Sequence, residues 1–123
     1  MECIRLKKKQ RMKVYELYGG RCAYCGCGIS FKQMQVDHVV PLCNGGTYED
    51  ENLLPACRSC NHRKNGESLE RYRKSVEDFL KVLDRDSVTY RNAVRYGLII
   101  PNPHPIRFYF EEFREGMDNS WKE

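Results

Sequence analysis

Apolar and polar residues alternate along this chain in two rhythms, and each stretch predicts a different element. Residues 5–18 are charged early and apolar late, with Met12, Val14, Tyr15, Leu17 and Tyr18 gathered before Gly19-Gly20. That pattern predicts a helix stopped by the glycine pair. Gln33-Met34-Gln35-Val36 alternates with the period of a strand and leads into Asp37-His38. Pro41 and Asn44-Gly45-Gly46 break the alternation and open a loop to about Asp50. Asn52-Leu53-Leu54-Pro55-Ala56 reads as a short return strand, its Pro55 suited to an edge or a strand end. A helix is expected from Arg58 or Ser59, interrupted at Gly66.

Farther along, Leu69, Tyr72, Val76, Phe79, Leu80 and Leu83 recur at helical spacing. They predict one amphipathic helix over roughly 67–84, its apolar stripe read as core and its other face carrying Arg71, Arg73, Lys74 and Lys81. A shorter helix from about Ser87 to Tyr96 ends at Gly97, and Pro101, Pro103 and Pro105 mark an extended connection. Ile106–Phe110 alternates as a strand with Ile106, Phe108 and Phe110 on one face, and the polar tail after Arg114 is expected to fray. The fold class is therefore α+β: a strand–loop–strand–helix unit with an N-terminal helix, C-terminal helices and one further strand. Residues 1–66 are expected to form the N-terminal helix and the core. Residues 67–123 are expected to be an extension packed on the same domain.

Composition sharpens that picture. With 31% charged residues and a mean hydropathy of −0.71, a chain of 123 residues has little apolar area for a core. A structural metal would supply part of the missing stability. Charge is uneven: Arg5, Lys7, Lys8, Lys9, Arg11, Lys13 and Arg21 outnumber Glu2 and Glu16 in the first 21 residues. A basic front suits a polyanion such as nucleic acid, although a solvated helix face has the same composition. No apolar run at the N-terminus serves as a signal peptide, and no stretch reaches the length of a membrane span. The seven cysteines are thus read as thiols of a cytoplasmic protein, not as disulfides.

Four of them form two pairs, Cys22-x-x-Cys25 and Cys57-x-x-Cys60, the spacing of a closed tetrahedral zinc site. Cys3, Cys27 and Cys43 are left over and are read as small buried or surface thiols, although Cys27, two residues past Cys25, could compete as a zinc ligand. Between the pairs lie Asp37-His38 and Asn52. Taken singly, these are a strand-end carboxylate, a half-buried histidine and a turn residue. Held inside one zinc frame they are a hard cation ligand, a base that titrates near neutral pH and an amide.

The segment resembles the HNH, or ββα-metal, nucleases in their zinc-stapled form. The resemblance rests on Cys22-x-x-Cys25, Val36-Asp37-His38-Val39-Val40-Pro41-Leu42, Gly45-Gly46-Thr47, Glu51-Asn52-Leu53-Leu54 and Cys57-x-x-Cys60-Asn61-x-x-Lys64. It implies a metal-dependent endonuclease that cuts or nicks double-stranded DNA, with His38 as general base. By the same resemblance Asn52 orders the loop and orients the His38 imidazole through a hydrogen bond. Asp37 and Asn61 hold the catalytic cation, with His62 the second choice to Asn61. Arg21, Arg58, Arg63 and Lys64 would hold phosphates as the helix lies in the minor groove. An Asp–Asn pair is all oxygen and favours Mg²⁺ or Mn²⁺; His62 in its place would let zinc or nickel compete.

Two other readings stay open on sequence grounds. One is a zinc-stapled DNA- or protein-binding module on the same scaffold, without turnover. The other is a zinc-finger regulator, against which stands the length of the segment between Cys25 and Cys57. A phage or mobile-element enzyme, or a subunit working with a protein partner or as a homodimer through residues 67–123, fits the short chain.

Overall fold

The computed structural model describes residues 6–116; Cys3, Arg5 and the polar tail from residue 117 lie outside the described residues. In chain order the elements are α1 (Lys8–Leu17), β1 (Gln35–His38), β2 (Leu53–Ala56), α2 (Arg58–Lys64), α3 (Leu69–Glu77), α4 (Phe79–Asp86), α5 (Val88–Arg95) and α6 (Tyr109–Glu115). Short 3₁₀ turns at Leu42–Asn44 and Asp50–Asn52 interrupt the loop between the strands. The chain divides into two compact units. One reaches to Leu69 and resumes at Arg107; the other is Glu70–Ile106.

The first unit is built around an antiparallel pair, β1 against β2, in which Val36 faces Pro55 and Asp37 faces Leu54. A two-stranded sheet has only edges, so Pro55, which has no N–H to give, costs no ladder bond that matters. Its carbonyl instead accepts the Ala23 N–H at 2.8 Å, joining β2 to the first cysteine pair. Val14 of α1, Met34 and Leu53 form the buried centre, with Tyr15, Ile29, Phe31 and Val36 packed against it. The helix predicted to end at Gly19-Gly20 does so. Gly20 has φ +73°, and a Cβ there would come 2.9 Å from the Tyr15 hydroxyl, which donates to the Ile29 carbonyl at 2.7 Å.

The segment Ile106–Phe110 is not a strand. It leads into α6, because the orphan N–H groups of a helix start find partners there. Glu111 accepts the Phe108 N–H at 2.9 Å, while Tyr109 and Phe110 donate their N–H groups to the carbonyls of Tyr24 (3.1 Å) and Ala23 (2.7 Å). Phe108 and Phe110 are both buried all the same. Burial alternated as the sequence suggested, but among the described residues no strand was there to pair with it.

In the second unit, the helix expected over 67–84 is two helices, broken at Asp78. The Asp78 N–H is shared between the carbonyls of Lys74 (3.0 Å) and Ser75 (3.2 Å), and its carboxylate accepts from the Lys74 ammonium. Such sharing tightens the turn and ends the regular ladder. The supposed core stripe therefore does not continue: Tyr72 is buried, but Leu83 is exposed. Ser87 caps α5 by accepting the Tyr90 N–H at 3.0 Å. The proline-containing segment is tied down at Ile106, whose carbonyl takes Arg73 (2.7 Å) and whose N–H reaches Glu77 (2.9 Å). No described helix is long and apolar enough to cross a membrane.

Candidate metal and catalytic site

Cys22, Cys25, Cys57 and Cys60 come together with their ligand atoms all within 4.8 Å of one another, and the Cys25 and Cys57 sulfurs are 3.9 Å apart. Thiolates around a zinc at about 2.3 Å would stand about 3.8 Å from each other, so the cluster fits a tetrahedral ion. Local structure explains the convergence. The first pair lies on a tight knuckle closed by Cys22 N–H to Cys27 carbonyl (2.8 Å) and Gly26 N–H to Cys22 carbonyl (2.9 Å). The second pair opens α2, with Cys57 as N-cap accepting the Cys60 N–H on its sulfur. A hydrogen bond from the Cys60 thiol, with backbone N–H groups, holds Cys22 down at about 4 against the opposing effect of burial. Cys27 stays outside the cluster. Burial and the neighbouring Cys25 and Cys57 push it up to about 12.

β1 carries Asp37 and His38 to opposite faces, as strand geometry requires. Asp37 faces inward, 8% exposed, and the same carboxylate oxygen, Oδ2, receives two donors. One is the hydroxyl of Tyr24, from between the first two cysteines. The other is the ammonium of Lys64, 3.0 Å away. Lys64 is fully buried and also donates to the His38 carbonyl at 3.2 Å. It is therefore not one of the surface cations expected to hold phosphate. Arg21, Arg58 and Arg63 are exposed, as that role requires.

His38 faces the loop, where the Tyr48 ring stands edge-on to it with centroids 5.0 Å apart. Its Nε2 is buried with no hydrogen-bond partner among the described residues. Burial lowers the imidazole pKa; the Asp37 charge opposes that shift and the Lys64 charge adds to it. The net shift favours the neutral ring, the form a base needs.

Asn52 orders the loop but does not reach the imidazole. Its Oδ1 accepts the Val40 N–H (2.8 Å), and its amide group donates to the carbonyls of Val40 (3.1 Å) and Thr47 (2.7 Å). Both amide hydrogens are spent there. Beside His38 the backbone is held to Asn52 as well: the Val39 N–H donates to the Asn52 carbonyl at 2.9 Å. Gly45 and Gly46 belong to the same clamp. A side chain at Gly46 would put a Cβ 1.8 Å from the Val40 oxygen, the atom Asn52 binds.

α2 packs on β1. On a helix, residues three apart share a face and residues two apart do not. Lys64 touches Asp37; Asn61, one turn earlier on the same helix, is half-buried, and His62 is exposed. Asn61, His62, Arg58, Gln35, Asn65 and Gly66 line a polar cavity of about 370 Å³. Tyr24, Tyr48 and the inward role of Lys64 escaped the sequence reading; nothing in spacing alone marks a tyrosine inside a cysteine pair as a carboxylate partner.

The profile of the HNH endonuclease family matches residues 22–67, from Cys22 to Glu67. Residues 22–67 form an HNH endonuclease domain. This HNH domain is similar to segments of two curated relatives, each a CRISPR-associated endonuclease Cas9. The likeness is 44% identity over 45 residues with that of Corynebacterium diphtheriae, covering 36% of this chain and 4% of the relative. With that of Actinomyces naeslundii it is 38% over 56 residues, covering 45% and 5%. The crystal structure of the Type II-C Cas9 enzyme from Actinomyces naeslundii superposes with a TM-score of 0.50 at 28% identity, over 59% of this chain and 9% of that one. The chain thus spans under a tenth of these relatives' length. α1 and everything past Glu67 lie outside the family match.

Proposed function

We propose that the HNH domain is a metal-dependent endonuclease that hydrolyses or nicks double-stranded DNA. The observation that carries this reading is the arrangement at the end of β1. Asp37 is buried, with one oxygen tied to two donors, while the adjacent His38 presents an imidazole with an unpartnered nitrogen. His38 takes the proton of the attacking water. The Asn52 clamp fixes the backbone that carries it, and the exposed Arg21, Arg58 and Arg63 draw in phosphates. Because Nε2 is buried, the imidazole turns or the loop gives way before that nitrogen meets a water.

The donor set suits a hard divalent cation. Asp37 keeps Oδ1 for it and Asn61 offers an amide oxygen; both are oxygen ligands, which favours Mg²⁺ or Mn²⁺ over softer ions. When bound there, the cation would stabilise charge on the leaving oxygen. The four cysteines hold a separate, structural zinc. In the second unit the exposed run Tyr96, Leu98 and Ile100 supports a protein partner or a second copy of the chain.

A plasmid-nicking assay with Mg²⁺ or Mn²⁺ tests the reading. The wild type should convert supercoiled to open-circular DNA, and His38→Ala should not. The amide at Asn61 and the buried Nε2 favour one alternative, a module that binds DNA without turnover. Wild-type protein that binds DNA but makes no nicks with any divalent metal would establish that alternative.

A further inference from the structure

We propose that Tyr24 is a positioning residue for the catalytic carboxylate, and that α6 is the brace that holds Tyr24 in place. This rests on the reading of Asp37 as a cation ligand. Tyr24 is buried at 4% exposure, and a buried phenol needs a partner for its hydroxyl. The partner it has is Asp37 Oδ2. Since Lys64 donates to that same oxygen, the carboxylate is fixed in rotation and Oδ1 is left as its ligand atom. A carboxylate free to turn would lose that preorganisation each time it let go of the ion.

Both donors are anchored to the cysteine cluster. Tyr24 lies between Cys22 and Cys25, and Lys64 is on the helix that Cys57 caps. The staple and the catalytic carboxylate are therefore one construction. α6 completes it from the other side of Tyr24. The Phe108 ring meets the Tyr24 ring edge-on with centroids 5.2 Å apart, and Phe110 does so at 6.1 Å. The Tyr109 N–H holds the Tyr24 carbonyl at 3.1 Å. The Arg114 guanidinium, over the Phe110 ring, fastens α6 to the Tyr18 hydroxyl (3.1 Å) and the Glu51 carbonyl (3.2 Å). This gives residues 107–116, which lie beyond the family match, a function in the reaction: they keep the phenol aimed at Asp37.

Tyr24→Phe tests it, because the ring and its packing stay and only the hydroxyl goes. Zinc content should remain one per chain. Mn²⁺ binding, read from the free-ion EPR signal, should weaken about tenfold, with the Mg²⁺ concentration for half-maximal nicking rising by a similar factor. The rate at saturating Mg²⁺ should fall far less. Phe108→Leu, which keeps the phenol but loses the edge contact, should move the same quantities in the same direction by a smaller amount. Unchanged Mn²⁺ affinity in Tyr24→Phe would overturn the proposal and leave Tyr24 as packing. Should the wild type neither bind Mn²⁺ nor nick DNA, the endonuclease reading falls, and the ¹³C resonance of the Asp37 carboxyl decides separately. It should shift in metal-free Tyr24→Phe, and an unmoved resonance refutes the positioning.

Discussion

Lys64→Met puts the buried ion pair to a quantitative test. The Lys64 ammonium lies 3.0 Å from Asp37 Oδ2, with the lysine side chain fully buried and the aspartate side chain 10% exposed. At an effective dielectric near 20 the gross attraction at that distance is roughly 5–6 kcal/mol, most of it offset by the cost of taking both charges out of water. Methionine has similar length and no charge, so it fills the space but strands the carboxylate. The cost of such a one-sided removal is about 3–5 kcal/mol, a large part of the stability of a small domain. Asp37→Asn should cost a comparable amount by stranding the ammonium. The double variant removes both charges and should be more stable than the sum of the two losses predicts, by about 2–3 kcal/mol. Urea unfolding at fixed zinc, without added Mg²⁺, measures all four proteins. A Lys64→Met loss below about 1 kcal/mol, or strict additivity in the double variant, would refute the claim that the two charges depend on each other.

Three further expectations follow from the site. Gly46→Ala forces a Cβ into the Val40 carbonyl, so the Asn52 clamp must open. Its thermal midpoint should drop by an amount equivalent to at least about 1–3 kcal/mol, and nicking should fall with it; an unchanged melt would mean the loop is not clamped as described. Stripping the zinc by chelation, or Cys57→Ser, should abolish the near-ultraviolet circular dichroism of the core, because structural zinc contributes about 10 kcal/mol or more to small domains. Elemental analysis should find one zinc per chain beforehand. Asn61→His should shift the metal preference of nicking from Mg²⁺ toward Ni²⁺ or Zn²⁺, whereas the same comparison with His62→Ala should leave it unchanged.

Much of this protein was legible in its sequence. The two Cys-x-x-Cys pairs announced the four-cysteine cluster, and with Asp37-His38 and Asn52 they carried the resemblance to the HNH endonucleases, because ligand spacing and strand period are local properties that a chain cannot hide. The limits of α1, β1, β2, α2 and α5 could be read from glycine, proline and capping residues for the same reason. What misled was pattern without partners. Ile106, Phe108 and Phe110 alternate like a strand, yet the segment becomes the start of α6 because the carbonyls of Ala23 and Tyr24 await its N–H groups. Those carbonyls are some 85 residues away in sequence, which no local rule reports. Lys64 reads as a surface cation because lysines almost always are, and only the packing of α2 on β1 turns it inward onto Asp37. Asn52 stands at its expected position, but which atoms its amide would bind depended on how the loop folded over it. The residue types proposed to do the chemistry were thus written in the sequence. The tertiary structure alone decided that Tyr24 and Lys64 converge on one carboxylate, with α6 packed against Tyr24, because a hydrogen bond is made between neighbours in space, and the chain order of those neighbours is free.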